Sequence, residues 1–78
     1  MYILSKNKKA IIAFGASEIS ALTVQKNIGG KKEEKFCIAC GELGSYIIGT
    51  YPDEKLALDE LSKIFSAIEE GKTSYEMN

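Results

Sequence analysis

The chain has 78 residues, 45% of them hydrophobic and 27% charged, with a formal charge of -1. That length makes one small domain, which buries only about 60% of its unfolded surface and gains from self-association. The near balance of charge predicts no strong field of either sign, and all ten basic residues are Lys, so the planar fork that reads phosphates and guanine edges is missing and nucleic-acid binding is disfavoured. Lys still neutralises a phosphate as a point charge, which keeps an anionic ligand open.

Residues Met1 to Lys9 lack a long apolar core after their charges, and no run approaches the roughly 18 apolar residues that a membrane-crossing helix needs. With Cys37 and Cys40 as the only cysteines, closely spaced and compatible with reduced thiols, the expectation is a soluble, cytoplasmic protein. Short apolar runs separated by turn residues then follow the pattern of an antiparallel meander. Tyr2 to Ser5 and Ala10 to Phe14 flank Lys6-Asn7-Lys8-Lys9, a first hairpin with Asn7 in its turn. A third strand spans about Glu18 to Gln25. Beyond it, Asn27-Ile28-Gly29-Gly30 and the charged stretch Lys31-Lys32-Glu33-Glu34 mark the loop that composition makes most mobile. Lys35 to Cys40 and Ser45 to Thr50 form a fourth and fifth strand around Gly41-Glu42-Leu43-Gly44. Gly49 inside the fifth predicts a bulge or a close backbone approach.

From residue 53 to 70 the period changes. Ala57, Leu58, Leu61, Ile64, Phe65 and Ile68 recur at three- and four-residue steps, the buried stripe of an amphipathic helix. Pro52 keeps the preceding chain out of the helix, Asp53 is its N-cap and Gly71 its stop, while Asp59 and Lys63 stand four apart in the favourable acid-first order. Leu61 and Phe65 are expected in the core. Leu56 falls on the opposite side, beside Lys63 and close to Glu60, as an apolar residue exposed among charges. Thr73 to Met77 alternates and is the candidate for a short sixth strand. The whole reads as one α+β domain, an antiparallel meander of about five strands packed on a C-terminal helix.

Catalytic and metal chemistry find little support. Cys37-Ile38-Ala39-Cys40 has the spacing of a zinc knuckle, but in a strand the two side chains point to opposite faces, and no histidine or second cysteine pair completes four ligands unless two subunits pool their thiolates. A redox pair needs a helix N-terminus to lower a thiol pKa, and none is predicted there, so packing as small hydrophobes is the favoured reading. Gly29-Gly30-Lys31-Lys32 lacks the upstream Gly, the following Ser or Thr and the strand-to-helix setting of a phosphate-binding loop. Without histidine no hydrolase triad can be built, and the carboxylates fall on the helix exterior and in loops. No enzyme activity and no cofactor are expected.

The opening Met-Tyr-Ile-Leu-Ser of residues 1 to 5, the Gly49-Thr50-Tyr51 step before the capped helix, and the closing Tyr75-Glu76-Met77 resemble a family of short proteins from Gram-positive bacteria and their phages. The likeness covers almost the whole chain, and its motifs mark strand exits, the helix cap and the apolar stripe. Four positions depart from it: Leu56 stands where a polar residue is usual, Cys37 and Cys40 sit in a strand that more often carries aliphatic and polar residues, and Asn78 replaces a terminal proline. The resemblance implies a phage or prophage setting, and with it a non-catalytic protein that acts by stoichiometric binding to a host defence protein such as a CRISPR nuclease. The alternatives are an oligomeric sponge for a nucleotide second messenger, with Lys for phosphate and Tyr for base stacking, and a phage structural or regulatory accessory protein. The candidate partner-binding residues are Leu56 with Glu60 and Lys63 on the helix, Tyr46 in the fifth strand, and Lys31 and Lys32 in the long loop.

Overall fold

The computed structural model of the chain describes residues 1–14, 21–41 and 46–78. Glu18 to Ser20, expected to open the third strand, and the Glu42-Leu43-Gly44 turn with Ser45 lie outside these residues. The elements run β1 (Tyr2–Leu4), β2 (Ile11–Ala13), β3 (Leu22–Lys26), β4 (Phe36–Cys40), β5 (Tyr46–Tyr51), α1 (Glu54–Glu69) and β6 (Ser74–Glu76). The α+β class follows from the sequence pattern, and the sixth strand forms. β1 and β2 are shorter than their apolar runs because Ser5 and Ala10 close the turn between them. The Ser5 hydroxyl accepts from the Ala10 N–H at 3.1 Å and donates to Asn7 Oδ1 at 2.8 Å, while Lys8 takes the left-handed backbone with φ +64°.

The single meander that the pattern predicts is divided into two three-stranded sheets. One has the order β2-β1-β6, with β1 antiparallel to β2 but parallel to β6, and the other is the antiparallel meander β3-β4-β5. A parallel pair cannot be joined by a tight turn and needs a long crossover. Here the second sheet and α1 together are that crossover.

Ile38 pairs with Gly49 and Ala39 with Ile47, which leaves Ile48 as an extra residue on β5, a β-bulge. The Ile48 carbonyl accepts the Lys6 N–H at 2.9 Å, so the bulge joins the turn of one sheet to the last strand of the other. A Cβ on Gly49 would lie 3.0 Å from Met77 Cε, 3.1 Å from Lys6 Cβ and 3.2 Å from Tyr51 Oη. Both the bulge and the close approach that a glycine here predicts are therefore present.

The helix ends are built as the sequence indicates. Asp53 Oδ1 accepts the Leu56 N–H at 2.9 Å. At the other end Gly71 (φ +75°) donates to Ile68 and Lys72 donates to Ala67, the six-to-one bond of a Schellman motif. The buried face differs from the predicted one. Ala57, Glu60, Ile64 and Ala67 face the strands, Leu61 is half-buried, and Leu58, Phe65 and Ile68 are exposed. The small Ala57 and Ala67 let the helix approach the sheets closely, and Tyr75 supplies a partner for Glu60, so the centre of the buried face lies about one residue step around from a stripe drawn through bulky residues. Asp59 and Lys63 do not pair, the ion pairs among the described residues being Lys8 with Glu76 and Lys72 with Glu70. The core joins Ile3 and Ile12 of one sheet, Ile38 and Ile48 of the other, Ile64 of α1, and Met77.

Candidate functional site

The sequence-predicted residues occupy separate places. Leu56 is exposed in the first turn of α1, as expected. Lys63, two turns on, is exposed beside a hollow that it shares with Ser62, Ser66, Lys72 and Tyr75. Lys31 and Lys32 are exposed in the β3–β4 connection. This loop is bonded across its base, with Asn27 donating from its backbone to Lys35 and from its side chain to the Glu34 carbonyl, each at 2.8 Å. Tyr46 opens β5 and is exposed.

Glu60 corrects the expectation of a surface contact, because it is only 3% exposed. A buried carboxylate must be hydrogen-bonded. Glu60 Oε2 accepts from the Tyr75 hydroxyl at 2.8 Å and from the Asn78 N–H at 3.3 Å, which pins β6 and the chain after it to the helix. Nearby, the Tyr51 hydroxyl is buried without a hydrogen-bond partner among the described residues, and the Lys6 ammonium lies 3.9 Å from the centre of the Tyr51 ring. Burial, followed by the charge of Glu60, pushes the Tyr51 phenol well above the ordinary tyrosine value; Tyr75 is raised by burial and then by its bond to Glu60. Both phenols therefore stay neutral at physiological pH.

Cys37 and Cys40 are buried free thiols whose pKa is raised by burial. Strand alternation sends them to opposite faces: Cys40 joins the main core, while Cys37 lies between Gln25 and Thr50 on the other side. Among the described residues no group of three metal-ligating side chains forms.

A different surface emerges from the first sheet. Ile3 pairs with Ile12 and both face the core, so Tyr2, Leu4, Ile11 and Ala13 share the outer face. Tyr2 is 60% exposed and Ile11 73%. Ile11 borders two hollows, one of about 270 Å³ shared with Tyr2, Leu4 and Ser74, and one of about 280 Å³ shared with Ala13, Cys40 and Tyr46, itself 53% exposed. Three large side chains thus follow one another across the molecule. The ion pair of Lys8 with Glu76, at 3.4 Å, stands at the edge of this sheet. Tyr46, a candidate from the sequence, is exposed, whereas the exposure of Tyr2 and Ile11 was not read from the sequence. The signal was present in Ile11-Ile12, since only one of two adjacent strand residues can face the core. Comparison with protein-family models, with curated proteins and with solved structures returned no match to the chain.

Proposed function

We propose that this is a non-catalytic binding protein that acts by stoichiometric occupation of a partner protein's surface, with Tyr2, Ile11 and Tyr46 as the contact. The observation that carries this reading is the exposure of all three to more than half of their surface, with Ile11 of the first sheet sharing one hollow with Tyr2 and another with Tyr46 of the second sheet. Tyrosines offer apolar area, few rotamers to lose and a hydroxyl for a bridging bond, which is why interfaces are enriched in them. The resemblance to short phage proteins of Gram-positive hosts supports a host defence protein, such as a CRISPR nuclease, as that partner.

One observation favours a second reading. Lys63, Lys72 and Tyr75 line a common hollow of about 310 Å³, the combination that a nucleotide's phosphate and base would use. Affinity purification from host lysate, with mass spectrometry of bound proteins and bound small molecules, separates the two. The protein reading expects one stoichiometric partner that Ile11→Asp releases and Lys63→Ala retains. A nucleotide lost on Lys63→Ala, with no protein captured, would replace it.

A further inference from the structure

Helix α1 carries a second apolar row that the sheets leave uncovered. Leu58, Leu61, Phe65 and Ile68 follow one another at steps of three, four and three residues, the spacing of a helix-pairing seam, on the side next to the buried face. Phe65 is 60% exposed, and Leu58 and Ile68 also face solvent. The row borders a groove of about 540 Å³ whose opposite wall includes Phe14 and Leu22. A contiguous apolar row of this kind, unlike a scattered Leu, marks an interaction surface.

The charges beside the row select the occupant. Lys55, Ser62 and Glu69 lie along its outer edge, seven residues apart and so on one line, and all three are exposed. Neither Lys55 nor Glu69 makes an ion pair with a described residue. A parallel copy of the helix would set this edge against the opposite edge of its partner, where Ala57 and Ile64 are already buried against the strands, and would leave both charges without a counterpart. An antiparallel copy sets each Lys55 against Glu69 and Ser62 against Ser62, while Leu58 layers on Ile68 and Leu61 on Phe65. Opposed helices also place the positive end of each dipole near the negative end of the other. One sequence therefore supplies both halves of a two-fold interface.

We propose that the protein forms a dimer through this row, with the two α1 helices antiparallel. The surface is separate from Tyr2, Ile11 and Tyr46, and the dimer presents two copies of that face. Sedimentation equilibrium on the intact chain tests it. Wild type is expected to dimerise, Phe65→Asp to weaken the dimer more than about tenfold, and Ile11→Asp to leave it unchanged. Lys55→Glu and Glu69→Lys are each expected to weaken association several-fold, and the double variant Lys55→Glu/Glu69→Lys to restore it by exchanging the signs. Circular dichroism of each variant should match wild type, because every changed residue is exposed. A chain that stays monomeric up to about 1 mM overturns the proposal, as does a dimer indifferent to Phe65→Asp. Charge variants that weaken association without rescue in the double variant overturn the antiparallel register. If wild type is monomeric and Phe65→Asp instead abolishes capture of a host protein, the row belongs to that partner.

Discussion

The backbone N–H of Lys6 donates to the carbonyl of Ile48 at 2.9 Å, clipping the turn of the first sheet onto the bulge of the second. Gly49 makes the approach sterically available, because any Cβ there would stand 3.0 to 3.2 Å from Met77, Lys6 and Tyr51 at once. Gly49→Ala should therefore destabilise the fold by about 1 to 3 kcal/mol through overpacking. Urea denaturation reads this as a lower midpoint at unchanged slope, and an unchanged midpoint would show that the neighbours yield freely.

Adjacent residues on α1 should respond in opposite ways. Ile64 is buried in the core, so Ile64→Ala should cost about 2 to 5 kcal/mol, enough to unfold much of so small a domain. Phe65→Ala, measured at concentrations low enough to hold the chain monomeric, should stay within about 0.5 kcal/mol of wild type. Equal losses at the two positions would mean that the helix is rotated from the orientation described above.

The contrast between these neighbours shows where the sequence was legible. Asp53, Gly71 and Gly49 could be read because each meets a local backbone need: a cap, a left-handed stop, and a bulge beside a crowded approach. Leu56 was placed correctly in solvent. The helix phase was not, because Glu60 looked like a surface charge and Ala67 looked too small to define a face, whereas the Tyr75 hydroxyl that satisfies Glu60 comes from a strand fifteen residues later. The pairing of β6 with β1 was hidden for a related reason. A pattern of alternation identifies a strand, but it does not name the neighbour or the direction in which the chain returns.

Alkaline pH should weaken the fold through Tyr51 and Tyr75. Both phenols are held above their ordinary value, so the native state keeps protons that the unfolded chain begins to release near pH 10. Their contribution is fully present below about pH 10 and declines as pH rises through the interval up to their native values. Denaturation midpoints measured across that interval should fall, and Tyr51→Phe should flatten the decline. A wild-type midpoint that does not change with alkaline pH would contradict the buried environment of the two phenols.

Leu56→Glu should leave the melting temperature within a few degrees, since the side chain it replaces is already exposed. Its effect on partner capture distinguishes two surfaces. Retained capture, together with loss in Ile11→Asp, assigns the contact to the sheet; loss in Leu56→Glu at unchanged stability assigns a share of about 1 to 2 kcal/mol to the helix.

The parallel pairing of β1 with β6 also bears on the order in which the fold can assemble. β1 can zip with β2, and the β3-β4-β5 meander can close, from contacts near in sequence. One edge of β1 nevertheless stays open, and the position that Met77 fills in the core stays empty, until β6 returns across more than sixty residues of chain. The β1–β2 hairpin and the β3-β4-β5 meander can therefore form as local units, and docking of β6 is the long-range step that fixes the first sheet against the rest of the fold.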